Sequence, residues 1–140
     1  MRQFVRGPVF KEAMKKRGAV RPIVWVKYGG VKMRSTWEVA FAERLDVLGC
    51  AWKYEPQQFD LGDGRLYTPD FWVRSPLGEA YVEVHRFERV KPGDEKKITK
   101  IHFARGVLPL PLVLIGDSDI ARIKRENAIE DGKKPPELKP

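Results

Sequence analysis

A single α/β domain, a mixed β-sheet flanked by helices, is the fold this sequence predicts. Three observations predict it. Short strand-like segments separated by turn residues fill the middle of the chain, and helical periodicity with capping residues brackets them. The run Leu112-Val113-Leu114-Ile115, short, apolar and partly β-branched, reads as a buried strand between two helices. The 140 residues suffice for one core, and a 42% hydrophobic content belongs to globular chains. Residues 1–130 are therefore expected to form one domain. Residues 131–140, rich in lysine and proline, are expected to be a disordered basic tail.

Taken in order, Lys11 to Arg17 is a short basic helix candidate. Ile23 to Tyr28 reads as a strand, turned by Gly29-Gly30. Ser35 is a good N-cap for a helix whose apolar stripe is Trp37, Phe41, Leu45 and Leu48, and Gly49 stops it. Strand-like pieces follow at Ala51 to Glu55, Gln58 to Leu61, Leu66 to Val73 and Ala80 to Glu88. Gly62-Asp63-Gly64 and Pro76-Leu77-Gly78 serve as their turns. A second helix is predicted from about Asp94 to Arg105, and Asp117-Ser118 should cap a last one through Asn127. The stripe of the Ser35 helix has to pack on the sheet, which brings the start of that helix near strand ends.

Charge narrows the function. Lysine and arginine exceed the acids by enough for a formal +8 and a pI near 9.7, which points to a polyanionic partner. No apolar run approaches the roughly 20 residues of a membrane helix. The N-terminal residues show no apolar stretch followed by a small-residue cleavage site. Cys50, the single cysteine, excludes an internal disulfide and a cysteine-built zinc site, so a reducing cytoplasm is the expected compartment. Glycine-rich phosphate loops, nucleophile elbows and HExxH zinc motifs are all missing.

Three acids stand out, each beside a plainer explanation. Glu38 lies three residues after Ser35, where a capping box would use it to satisfy a backbone N–H. Asp70 follows Pro69 in Tyr67-Thr68-Pro69-Asp70-Phe71-Trp72, where an aspartate commonly bonds its own backbone. Glu83 sits in Tyr81-Val82-Glu83-Val84-His85. If Val82 and Val84 face the core, Glu83 and His85 share the other face and can converge on one site. Carboxylates on adjacent strands plus one at a helix start suit a hard divalent cation, able to polarise a phosphate and activate water.

Pro69-Asp70, a spacer and Glu83-x-His85 resemble the PD-(D/E)XK nuclease signature, with histidine in the usual lysine position. The ordered set Arg34-Ser35-x-x-Glu38, Trp52-x-Tyr54-Glu55, Tyr67-Thr68-Pro69-Asp70-Phe71 and Val82-Glu83-x-His85 is similar to phage endonuclease I-type Holliday junction resolvases. The likeness runs from Lys32 to Ile115. It implies a restriction-endonuclease-like core and a nuclease domain spanning residues 1–130. It also implies a Mg²⁺-dependent endonuclease, with Mn²⁺ substituting, that cleaves branched DNA in a bacterial or phage-infected cell. Carried over by position, Glu38, Asp70 and Glu83 are metal ligands together with the backbone carbonyl of Val84, and His85 is the fourth catalytic position. Histidine has an ordinary pKa of about 6.5, so His85 is expected to act neutrally, hydrogen-bonded to water; the alternative is that Lys91, Lys96 or Lys97 supplies the missing charge. Glu83 beside it would favour the protonated form. Arg34, Lys91, Lys96, Lys97 and Lys100 are expected to contact DNA phosphates. Junction resolution takes two cuts, which implies a homodimer, and the Trp25 strand is the expected part of its contact.

Other residues carry weaker expectations. Glu55 occupies a family carboxylate position but reads as a strand-end surface glutamate. His102 reads as a solvated residue of the basic helix, and Arg105 as a further phosphate contact. Trp25, Trp52 and Trp72 read as packing rather than base-stacking platforms. The alternatives are a mismatch-nicking or homing-type nuclease of the same fold and a catalytically inactive DNA-binding module. A basic RNA-binding protein stands third, without an RNP-like or GxxG signature.

Overall fold

Residues 25–131 are described by the computed structural model; the Lys11–Arg17 helix candidate, Ile23, Val24 and the tail beyond Asp131 lie outside them. The described chain begins with a hairpin, β1 (Val26–Tyr28) and β2 (Val31–Met33), turned by Gly29 and Gly30 in left-handed backbone. Helix α1 (Thr36–Val47) follows, then β3 (Ala51–Tyr54), β4 (Phe59–Asp60), β5 (Leu66–Tyr67), β6 (Phe71–Ser75) and β7 (Gly78–Val84). Helix α2 (Glu95–Val107), β8 (Leu112–Ile115) and α3 (Asp117–Glu130) complete it. Four strands form the central sheet in the order β3-β6-β7-β8, antiparallel except for the parallel β7–β8 pair. The predicted mixed sheet flanked by helices is present.

Helix α1 starts where its cap dictates. Ser35 is extended, with φ −153° and ψ 159°, and its Oγ accepts the Glu38 N–H at 3.3 Å. The helix ends in a Schellman motif. Gly49 takes φ 73°, its N–H bonds to the Asp46 carbonyl, and the Cys50 N–H reaches the Leu45 carbonyl. Phe41 and Leu45 are buried as the stripe requires, but Leu48 is exposed because it has already become the C-cap.

Two apolar clusters sandwich the sheet. On one face α1 and α3 pack against Phe71, Val82 and Val84. The Phe71 ring is fully buried and meets Phe41, Trp52 and Tyr54 edge-on, at centroid distances of 5.1, 5.7 and 5.5 Å. Burying such a ring contributes roughly 1.5–3 kcal/mol. On the other face Ile101 and Ala104 of α2 pack with Tyr67, Tyr81 and Leu112. Trp52 and Trp72 follow the packing expectation, joining the first and second clusters, but Trp25 departs from it and stays exposed beneath the Arg34 guanidinium.

Several predicted boundaries are corrected. The expected strand from Leu66 to Val73 is two strands, because Pro69 has no N–H to donate and interrupts the ladder. The strand expected to reach Glu88 stops at Val84, after which a loop carries the chain to α2. Asp117 does not cap α3. The N-cap is Gly116, whose N–H is accepted by Asp119 at 3.0 Å, while Asp117 accepts from the Glu88 N–H and from Arg89. Among the described residues no helix is long and apolar enough to cross a membrane.

Candidate functional site

The break at Thr68-Pro69 delivers Asp70 to the sheet. Its carbonyl accepts the Glu55 N–H at 2.7 Å, and its Oδ2 accepts the Val84 N–H at 2.8 Å. The β6–β7 register pairs Phe71 with Val82, so Asp70 and Glu83 come opposite one another on adjacent strands. They lie on the face away from Phe71 and Val82. Glu83 Oε1 accepts the Tyr67 hydroxyl, and Glu38 Oε1 accepts both the Tyr54 hydroxyl and the Arg34 N–H at 2.9 Å. The capping reading of Glu38 is thus close: it serves a backbone N–H just before the N-cap while belonging to the acid cluster. Asp70 lies within hydrogen-bonding reach of both Glu38 and Glu83.

All three carboxylates are buried, at 5%, 8% and 2% exposure for Glu38, Asp70 and Glu83, so Glu83 is no solvated strand-face residue. Burial pushes each of their pKa values up. For Asp70 the charges of Glu83 and Glu38 add to burial, and it rises well above the usual carboxylate range. Hydrogen bonds from Asp70 offset part of this rise at Glu38 and Glu83, and the three acids titrate as one coupled group. Lys97 supplies opposing charge, with Nζ 3.7 Å from Glu83 Oε2. The phenols of buried Tyr67 and half-buried Tyr54 are raised too, by desolvation first and then by Glu83 and Glu38 respectively.

After Val84 the chain turns away. His85 donates its N–H to the Ile115 carbonyl, packs its ring on Phe87, and brings Nε2 to 3.8 Å from Asp94 Oδ2. Asp94 is gripped by Arg86 through two bonds of 3.1 and 3.0 Å and accepts the Lys91 N–H at 3.0 Å. Burial lowers the His85 pKa, Lys97 lowers it further, and Asp94 opposes them, so the surroundings favour the neutral ring. The expected influence of Glu83 on this ring is replaced by that of Asp94.

The acids form the floor of a groove of about 1470 Å³. All five expected phosphate contacts, Arg34, Lys91, Lys96, Lys97 and Lys100, line it, as do Val84 and His85. Arg105 and His102 are exposed on α2 outside that lining, so Arg105 is not grouped with the other basic residues. Glu55 departs furthest from expectation. Its side chain is 13% exposed, it pairs with Arg34 at 2.9 Å, and it takes φ 45°, a conformation costing a non-glycine residue roughly 1–3 kcal/mol. Tyr54, Tyr67 and Asp94 were not singled out from the sequence. For the tyrosines the available signal was their place in the motif segments, Tyr54 beside Glu55 and Tyr67 three residues before Asp70.

Three carboxylates are the right chemistry for a hard divalent cation. Each also has one oxygen fixed by a protein donor, with its second oxygen not used by that donor. Among the described residues, however, no three His, Cys, Asp or Glu side chains are set to hold a metal ion. The cluster therefore matches a cation in charge and hardness without being a preformed cage. Comparison with family models, with curated proteins and with solved structures gave no match.

Proposed function

We propose that this protein is a metal-dependent, structure-specific DNA endonuclease that cleaves branched DNA such as Holliday junctions. One observation carries the reading: three buried carboxylates floor a groove whose walls are basic. The residues to hold Mg²⁺ or Mn²⁺ are Glu38, Asp70 and Glu83, with the backbone carbonyl of Val84. A bound cation there would supply Lewis-acid activation of a phosphodiester and a more acidic water. The chain's own part is orientation and charge. Tyr54, Tyr67 and the Val84 N–H each fix one carboxylate oxygen. Because burial favours the protonated form of Asp70, cation binding there would be coupled to proton release. Arg34, Lys91, Lys96 and Lys100 provide the phosphate grip. Two cuts on one junction call for a homodimer.

The test is incubation of the purified protein with labelled four-way junction, linear duplex and single strand, in Mg²⁺ or in EDTA. Junction cleavage that requires Mg²⁺ is expected, with light scattering on the same sample giving twice the 16.1 kDa chain mass. Equal cleavage of linear duplex would favour a mismatch-nicking or homing-type enzyme. Tight junction binding with no cleavage under any divalent metal would leave a DNA-binding module.

A further inference from the structure

We infer that Lys97, not His85, is the catalytic cation of the acid cluster, reaching that cluster from helix α2. The inference rests on the nuclease reading. His85 has the right place in the sequence but the wrong surroundings. Its ring is one-tenth exposed, packed on Phe87 and directed at Asp94, whose carboxylate is already engaged by Arg86 and the Lys91 N–H. No hydrogen bond or ion pair among the described residues joins it to Glu83.

Lys97 has the complementary properties. It lies in the first turn of α2, just after Asp94, which ties that helix start to Arg86 and Lys91. Its Nζ stands 3.7 Å from Glu83 Oε2, and its charge is felt at Asp70 as well. Its side chain is half exposed at the groove, so the ammonium is open to an incoming phosphate while touching a floor acid. Among the described residues, no other lysine or arginine side chain pairs with a floor acid; the Arg34 guanidinium is taken by Glu55. Lys91 and Lys96 line the same groove without an acid partner among the described residues, as phosphate contacts should.

The experiment compares steady-state cleavage of a four-way junction in Mg²⁺ by wild type, Lys97→Gln, Lys97→Arg, Lys96→Gln and His85→Ala. Melting curves confirm that each variant folds. Mn²⁺ binding without DNA is followed by electron paramagnetic resonance. Lys97→Gln should lower kcat by about 100-fold or more with KM changed less than about threefold, the pattern of a contact made in the transition state. Lys97→Arg should recover at least about tenfold of that loss, and His85→Ala should stay within about tenfold of wild type. Removing a positive charge beside Glu83 should tighten Mn²⁺ binding about threefold or more in Lys97→Gln, with Lys96→Gln unchanged. Wild-type kcat in Lys97→Gln, a loss confined to KM, unaltered Mn²⁺ affinity, or an equal loss in His85→Ala would each overturn the inference. Inert wild type overturns the nuclease reading as well. Active wild type beside active Lys97→Gln overturns only the role of Lys97.

Discussion

Two sets of acids lie at opposite ends of one short loop and are treated in opposite ways. Glu38, Asp70 and Glu83 at the groove floor are buried together with Lys97 as their single ion-pair partner among the described residues, and all three are raised. Asp94, by contrast, is lowered, first by the Lys91 N–H and then by Arg86. Burial alone would raise Asp117, yet Arg89 and the Glu88 N–H hold it below the ordinary range. Arg86 and Arg89 lie within six residues of Glu83 in the chain, and both turn to the loop acids. The fold thus gives full counter-charge to acids that fasten a loop and withholds it from those at the floor. Such local instability is common where a site awaits a ligand.

The largest expected effect comes from removing the charge at the centre of the floor. Asp70→Asn should abolish Mg²⁺-dependent cleavage, by about 1000-fold or more, while junction binding stays intact or strengthens. In EDTA at neutral pH the same variant should be more stable than wild type by about 1–2 kcal/mol. The sign follows from linkage. Asp70 binds its proton more tightly folded than unfolded, so between its ordinary pKa of about 3.9 and its higher folded value the native state carries more protons. Wild-type stability in EDTA must fall as pH rises through that window, and Asp70→Asn must lose this component. His85 and Asp94 pull the other way on acidification, so the wild-type minus Asp70→Asn difference is the quantity to follow by thermal melts. A difference that does not vary with pH would deny the floor its excess charge.

Asp94→Asn sharpens the contrast from the other side and should be moderate. The folded pKa of Asp94 is depressed, so its stabilising contribution is present above the ordinary aspartate value and lost as pH falls through the folded one. The variant should melt below wild type at neutral pH and converge with it in acid. It should also lower cleavage about tenfold, because the start of α2 loses its tie to Arg86. The smallest effect belongs to the rim. Lys91→Gln and Lys96→Gln should leave stability unchanged and each flatten the salt dependence of junction binding by about one unit of log–log slope.

How far the sequence discloses all this depends on whether local chemistry or tertiary contact decides. Helix α1 and strand β8 were legible because Ser35, Gly49 and a short apolar run act through their own neighbours. The break between β5 and β6 was not read, although Pro69 announces it, because the aromatics on either side continue a strand pattern. Asp117 carried a sound capping signal that Arg89 and Glu88 outcompeted from elsewhere in the chain. At the site, residue types and order were enough to single out Glu38, Asp70 and Glu83. The side chains that hold them were hidden: Tyr54 and Tyr67 read as strand formers, and only the folded partners turn their hydroxyls to the acids. Glu55 was misread because its backbone conformation and its pairing with Arg34 leave no local trace.

The hairpin between β6 and β7 acts as a measuring device. Ser75 pairs with Gly78 across the two residues Pro76 and Leu77, and every later pairing, through Phe71 with Val82, follows from that closure. Pro76 presets the turn, and Gly78 takes φ 126°, which side chains rarely adopt. Leu77 at its tip is 99% exposed and touches none of the chemistry. Surface loops ordinarily absorb insertions and deletions. This one cannot change length freely, since a slip of one residue would send the side chains of β6 to the opposite face. Asp70 would leave Glu83 with no acidic residue altered, so drift in loop length is barred here by a distance kept at the far end of the strands.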